Sequence, residues 1–397
     1  MKIKGKVHYV GVNDRVKTRF EGLWPLPYGV SYNSYLIDDD MVALVDTVDA
    51  CYFDVFLEKI RAILGDRPIN YLIINHMEPD HSGSIRLIRQ FYPDVVIVGN
   101  KQTFGMIEGY YGLAGDRYQV GDGDILDLGH HHLRFYLTPM VHWPETMMTF
   151  DETDGILFSG DAFGCFGALN GGVVDSTMDT THYWGEMERY YANIVGKYGQ
   201  PVQRALQKLS GVNIQTICST HGPVWQTEIA KVVETYNRLS RYEAEEGVVV
   251  AYGSMYGHTA QMAELIAEEL AAQGIRKIKV HDVSHTHSSF ILADIFRYKG
   301  LIVGAPTYNT KIYPEVEALL SQIAARDIKG RYMGWFGSFT WASAAVKLIG
   351  EYNERLKFEP VGNPVEMKQS LKEDTRRYCR ELAVAMAERL KADRTSK

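Results

Sequence analysis

The sequence predicts two α/β domains in tandem, the second built on a doubly wound parallel sheet. Three observations predict it. Apolar runs of strand length alternate with helical patterns along the chain, and the texture of the connecting segments changes near residue 240. The chain is also long enough, at 397 residues, for two or three domains of ~100–200 residues each. Hydrophobic residues make up 46% and charged residues 23%, the proportions of a globular protein with a large core.

In the first region, short apolar runs end abruptly in clusters of His, Asp, Glu, Gly and Pro. Residues 32–37 and 41–45 flank Asp38-Asp39-Asp40 and predict a hairpin at the start of a sheet. Further strands are expected at 70–74, 95–98, 132–137, 155–158 and 214–218, with helices at 52–64 and 201–209. The polar stretch from Arg241 to Gly247 reads as a short linker, which sets the domains at 1–246 and 247–397. Beyond it, strands at 248–252, 278–283, 300–303 and 331–336 alternate with helices at 259–272, from Pro314, and at 371–390. On the helix 259–272, Met262, Ala263, Ile266, Ala267 and Leu270 form one apolar face.

Charge and cysteine content exclude several classes. A net charge of −7 provides neither a basic footprint for nucleic acid nor a polybasic segment for a membrane surface. The first twenty residues lack the apolar core of a signal peptide, and no stretch approaches the ~20 apolar residues of a spanning helix. Cys51, Cys165, Cys218 and Cys379 lie far apart with no CxxC pair, against a disulfide framework, a structural zinc site or a cysteine-ligated iron domain. A cytoplasmic enzyme is expected.

The most informative stretch is Asn75-His76-Met77-Glu78-Pro79-Asp80-His81-Ser82-Gly83, with four potential ligands within six residues just past a strand. His142, Asp161 and His221 follow three other strands in the same way. A lone histidine near a strand end is usually a satisfied core or loop residue. Four strand ends each offering ligand chemistry are not so explained. The count discriminates further: four imidazoles (His76, His81, His142, His221) and three carboxylates (Glu78, Asp80, Asp161) are too many for one ion. If Asp161 bridges, each of two ions receives two histidines and two carboxylates and keeps open positions. That donor set suits non-haem iron, whereas zinc favours closed N/S-rich sites.

A second signature is Ser254-Met255-Tyr256-Gly257-His258-Thr259, between a strand and a helix. Backbone N–H groups at a helix N-terminus, with the Ser254 and Thr259 hydroxyls and close approach at Gly257, suit a phosphate. Such a loop is often no more than a helix cap. The absence of a Walker lysine argues against a nucleoside triphosphate, and the absence of GxGxxG against a dinucleotide. Two later segments strengthen the ligand reading: Gly304-Ala305-Pro306-Thr307-Tyr308-Asn309-Thr310 and Gly337-Ser338-Phe339-Thr340-Trp341-Ala342-Ser343. Both follow strands and combine small polar residues with an aromatic, which suits a phosphate tail and a stacked isoalloxazine ring. All three lie at carboxyl ends of strands, where doubly wound sheets bind ligands.

The run His76-x-Glu78-x-Asp80-His81, with His142, Asp161 and His221, resembles the metallo-β-lactamase-like domain of flavodiiron proteins, and the later region resembles flavodoxin. Together the two resemblances cover nearly the whole chain. Hydrolases of the same superfamily usually carry His where this chain has Glu78, so the carboxylate resembles the diiron branch. The resemblance implies an αβ/βα sandwich followed by a flavodoxin-like sheet. It assigns His76, Glu78, His142 and Asp161 to one iron, and Asp80, His81, Asp161 and His221 to the other, with FMN on the three loops. The position of His81 is not a ligand in every member. The implied reaction is reduction of O2 to water or of NO to N2O, with no catalytic side chain assigned beyond the metal ligands. The resemblance also implies a separate electron donor, a rubredoxin-like protein or reduced deazaflavin, and a head-to-tail homodimer or dimer of dimers. Two rivals remain: a zinc hydrolase fused to a flavodoxin, and an electron carrier with a vestigial metal fold.

Other features are expected to be structural. His130-His131-His132 reads as a solvated turn, and His281, His285 and His287 as surface residues. Trp143 and Tyr28 suit either a pocket lining or packing. Cys165 and Cys218 are expected to be small buried hydrophobes.

Overall fold

Short strands build the first region, and the central ones are buried on both faces. The computed structural model describes residues 1–395, and its chain divides into two units, Met1–Ser240 and Arg241–Lys397. One sheet of the first unit contains β1 (Lys2–Lys4), β2 (Val7–Tyr9), β3 (Tyr35–Ile37), β4 (Ala43–Val45), β5 (Tyr71–Ile73), β6 (Val96–Gly99) and β7 (Arg117–Gln119), neighbours in that order. Pairing is antiparallel as far as β4 and parallel beyond it. The expected hairpin joins β3 to β4 across Asp38–40.

The second sheet contains β8 (Ile125–Asp127), β9 (His132–Leu137), β10 (Met147–Asp151), β11 (Ile156–Gly160) and β12 (Thr216–Ser219). Its pairs are antiparallel except β11 with β12. The sheets face each other: the Tyr35 ring packs on Phe158 at 5.4 Å, and its hydroxyl donates to the Ser219 carbonyl at 2.7 Å. Helix α1 (Phe53–Leu64) turns Phe53, Phe56, Leu57, Ile60 and Leu64 inward, a 3.6-residue stripe. It stops at Gly65, whose φ of 59° a side chain would resist. The first unit is thus an αβ/βα sandwich, as expected.

The second unit is a parallel sheet of β13 (Glu245–Tyr252), β14 (Ile278–Asp282), β15 (Tyr298–Tyr308) and β16 (Tyr332–Phe339), continued by the short strands β17 (Glu359–Pro360) and β18 (Val365–Lys368). Strand order is β14-β13-β15-β16-β17, with β18 also on β16. Helix α2 (His258–Ala272) buries Met262, Ala263, Ile266 and Leu270 in one cluster with Leu382 and Met386 of the terminal helix, Glu373–Thr395. The doubly wound expectation holds, with local differences, one being that β16 runs on through residues 337–339 of the third loop segment. Strand β13 begins three residues before position 248, because Lys277 and Arg297 pair with the polar Glu245 and let it enter the sheet. Strand β15 runs on through Gly304–Tyr308, which the small residues and Pro306 mark as loop. Parallel pairing of Ala305 with Gly337 and Pro306 with Ser338 keeps that backbone extended. Among the described residues, no helix is long and apolar enough to cross a membrane.

Candidate functional site

All seven residues of the first constellation converge at the ends of β5, β11 and β12 and on the loop after β9. The backbone past β5 is fixed by Asp46, which accepts from the Asn75 N–H at 2.8 Å and from its side-chain amide at 3.1 Å. Glu78 then starts a single turn, Pro79–Ser82, with Pro79 at the position where its missing N–H costs nothing. The turn sends Glu78 to one side and Asp80 and His81 to the other.

Two clusters result. In one, His76 Nε2 and His142 Nε2 each lie 3.3 Å from Glu78 Oε2, and 3.5 and 3.1 Å from Asp161 Oδ2. In the other, His81 Nε2 and His221 Nε2 lie 3.3 and 3.4 Å from Asp80 Oδ2, and 3.0 and 3.8 Å from Asp161 Oδ1. Asp161 therefore turns one oxygen to each cluster. All seven side chains are buried, His76, His81 and His221 completely.

Such burial is costly for carboxylates without compensating charge. Burial alone would raise Asp161, yet the His81, His76 and His142 imidazoles hold it well below the usual carboxylate range. Reciprocally, burial would lower His81 and His142, but Asp80, Asp161 and Glu78 push both up to about 9. His76 is raised well above its ordinary value against its own burial, by Asp161, Glu145 and Glu78. The field of the cluster favours positive charge at its centre. Both Asp80 oxygens, His81 Nε2 and His221 Nε2 are buried without a hydrogen-bond partner. Nitrogens and carboxylate oxygens left unpaired and aimed at a shared space are donors for a metal ion.

A second layer orients these groups. His76 Nδ1 lies 2.8 Å from Glu145 Oε1 and His221 Nδ1 lies 2.7 Å from the Ser31 carbonyl, which turns each Nε2 inward. Thr220 donates to Asp161 Oδ1 at 2.5 Å. Sequence reasoning missed Glu145, Asp46, Ser31 and Thr220. Glu145, three residues past His142 in the same loop, carried the one available signal. Trp143 stands edge-on to His76 at 5.3 Å and lines the cluster, while Tyr28 packs near His182 at 5.0 Å. Cys165 and Cys218 are buried, as expected.

The expectation of a solvated turn at 130–132 fails for its middle residue. His131 is fully buried against Asp39, because the turn points alternate side chains inward as strand β9 begins. His130 and His132 remain exposed. In the second unit, His285 is exposed, His281 pairs with Asp294 at 2.8 Å and His287 accepts from the Ser289 N–H.

The second constellation surrounds a cleft of about 640 Å³ in the second unit. Ser254, Met255, Tyr256, His258 and Thr259 line it from one side. Pro306, Thr307, Tyr308, Asn309 and Thr310, with Ser338, Phe339, Thr340, Trp341 and Ala342, complete the wall. Gln369, which no motif marked, joins them. Gly257 shapes the loop: its φ is +86°, and a Cβ there would meet no protein atom within 4 Å. Gly337 answers to packing, since a Cβ would come within 2.8 Å of Val346. Ser343 is engaged by Glu366. The Ser254 hydroxyl accepts from the Gly257 N–H at 3.1 Å, so it caps the loop, while Thr259 and Ser338 share a hydrogen bond of 2.9 Å at the cleft. Tyr256 and Trp341 are 86% and 87% exposed, two large rings left unpacked beside a cavity of flavin size.

Comparison with known proteins agrees with both halves. The family model described as ODP family beta lactamase matches residues 30–222, and the flavodoxin model matches residues 250–382. The chain is 31% identical to an uncharacterized protein of Methanocaldococcus jannaschii over 98% of both chains. It is 30% identical to the anaerobic nitric oxide reductase flavorubredoxin of Escherichia coli K12, over 96% of this chain and 80% of that one. Among solved structures, the rubredoxin oxygen:oxidoreductase of Desulfovibrio gigas superposes with a TM-score of 0.95 at 29% identity, covering 99% of this chain and 98% of the other. The flavodiiron protein of Giardia intestinalis gives 0.91 at 26% identity, covering 98% and 95%.

Proposed function

This chain belongs to the flavodiiron family of oxidoreductases, with an FMN-binding flavodoxin domain, and we propose that it reduces O2 to water or NO to N2O at a diiron centre in its first unit. The observation that carries the reading is Asp161, with one carboxylate oxygen facing each of two His/carboxylate clusters. The buried, unpartnered donors Asp80, His81 and His221 fit an ion. We assign His76, Glu78 and His142 to one iron, Asp80, His81 and His221 to the other, and Asp161 to both. When the cofactors are bound, two ferrous ions and reduced FMN supply four electrons, enough for one O2, where two NO need only two.

The chain's own groups prepare that chemistry. Glu145 and the Ser31 carbonyl fix two imidazoles in the tautomer that leaves Nε2 free to coordinate. Trp143, Phe20 and Tyr190 set their rings against His76 and His221, an apolar surround that limits water. In the second unit, the N-terminus of α2 with Thr259 and Ser338 would hold the FMN phosphate. Tyr256 and Trp341, exposed at the cleft, would pack on its ring system. The domain boundary lies in the polar stretch that begins at Arg241 and leads into β13.

Electrons come from a separate donor, a rubredoxin-like protein or a reduced deazaflavin. The names of the Escherichia coli and Desulfovibrio gigas relatives support the first. A head-to-tail homodimer, or a dimer of two such dimers, brings each FMN to the partner's irons, and the protein works in the cytoplasm. Steady-state kinetics with O2 and NO side by side, on chain reduced without oxygen, tests the reading. At least one gas is consumed as the flavin reoxidises. A chain that consumes neither and instead hydrolyses esters or lactams with zinc bound refutes it.

A further inference from the structure

At the far end of the second sheet, about 16 Å of strand away from Asp161, three other side chains converge. His131 precedes β9, Asp151 ends β10 and Asp154 lies in the turn to β11. One ligand-type atom from each lies within 4.8 Å of the others. His131 Nε2 is 3.4 Å from Asp154 Oδ2 and 3.9 Å from Asp151 Oδ2. His131 and Asp151 are completely buried, and neither His131 Nε2 nor Asp151 Oδ2 has a hydrogen-bond partner.

The imidazole is fixed from behind. Its Nδ1 lies 2.7 Å from Asp39 Oδ2, and Asp39 also accepts from the backbone N–H groups of His130, His131 and Asp40 and from the Lys6 ammonium. With Nδ1 engaged by Asp39, the ring is turned so that Nε2 faces the two carboxylates. Nearby lysines do not relieve this: Lys4 donates to the Asp154 carbonyl and Gln215, and Lys6 to Asp39.

Nothing among the described residues donates to Asp151 Oδ2 or hydrogen-bonds with His131 Nε2, and the distances discriminate between a shared proton and a metal ion. A protonated Nε2 would draw an oxygen in to about 2.7–2.9 Å. Ligands at about 2.0–2.1 Å on a tetrahedral ion stand roughly 3.3–3.5 Å from one another. The 3.4 Å separation matches that edge, and the 3.9 Å separation needs half an ångström of closure. Gly5 makes room for the arrangement, since a Cβ there would come within 2.0 Å of Asp154 Oδ2.

We infer that His131, Asp151 and Asp154 form a further metal site, for a divalent cation of the zinc class, with Asp39 positioning the imidazole. Solvent on the partly exposed side of Asp154 supplies the fourth ligand. The ion staples the turns before β9 and after β10 to the β3–β4 hairpin, well away from the gas-reducing centre, and the inference does not depend on that centre's chemistry.

The test is equilibrium dialysis of the full chain, loaded with iron and FMN, against zinc chloride at about 10 µM free zinc, with both metals counted in the same sample. The wild-type chain gains one zinc without losing iron. Asp154→Asn, at a half-open position that tolerates the change, binds zinc at least tenfold more weakly. Asp39→Asn weakens it about tenfold through the lost orientation, and Asp127→Asn, beside exposed His132, leaves it unchanged. No zinc gained by wild type, zinc gained only as iron leaves, or wild-type affinity in Asp154→Asn would each overturn the site. The wild-type count decides even if a variant fails to fold.

Discussion

The two ligand-binding regions solve opposite problems. In the first unit, seven side chains close over a space the size of ions, and their mutual field is built before any ion arrives. In the second, the cleft stays open, and Tyr256 and Trp341 are left almost wholly exposed. An ion is small enough for protein groups to surround, so its site can be finished by folding. The flavin cleft instead leaves two large rings in solvent, for the ligand itself to cover. The first site is therefore sensitive to charge and the second to backbone shape.

Charge removal is the severest way to test that contrast. Asp161→Ala takes a donor from both clusters at once, so both ions should be largely lost and gas reduction should fall at least ~100-fold, with FMN retained. His81→Ala removes one donor from one cluster and should keep more metal. Metal content in Asp161→Ala equal to wild type would show that the carboxylate bridges nothing.

A backbone change should do the reverse. Gly257→Val puts a β-branched residue at φ +86°, at a strain of about 1–2 kcal/mol, and fills the open side where the phosphate approaches. FMN should be lost on desalting while iron analysis stays at the wild-type value. Loss of both cofactors would mean the regions are not independent. The same two variants then test the dimer. After subunit exchange, half of the dimers are mixed and each has one working FMN–iron pair, so roughly a quarter of wild-type activity returns if transfer crosses between chains. Activity that stays near zero with exchange proven excludes transfer between chains.

The contrast between regions also explains what could be read from sequence. His76, Glu78, Asp80 and His81 were legible because ligand chemistry is written in side chains, and four strand ends repeated it. Glu145 and Asp46 were not, because one carboxylate near a loop carries no pattern until the fold puts it behind His76 or Asn75. In the second unit the loops were legible as places but not as conformations. Gly304–Tyr308 has the composition of a loop, and only pairing with β16 makes it a strand. His131 misled for a related reason. A triple histidine looks solvated, and the pleat that buries every second residue is set by the partner strand.

The smallest expected effect is on pH dependence. In the metal-free chain, His81 and His142 are pushed up to about 9, against burial, by the neighbouring carboxylates. A raised imidazole stabilises the fold fully below its ordinary value near 6.5, and that contribution is lost as pH rises through about 9. Melting of the metal-free chain should therefore fall by a few degrees between these limits. The iron-loaded chain, whose imidazoles hold ions in place of protons, should not show the decline. Identical profiles for the two forms would contradict the charge-built picture of the first site.

The central claim is that one chain folds two complete and separate redox sites. Its most direct test is metal and flavin analysis of a single preparation expressed with ample iron. The account predicts two irons and one FMN per chain, apart from any zinc held near His131. Stoichiometric zinc in place of iron, persisting after iron-replete expression and accompanied by hydrolytic activity, would contradict it.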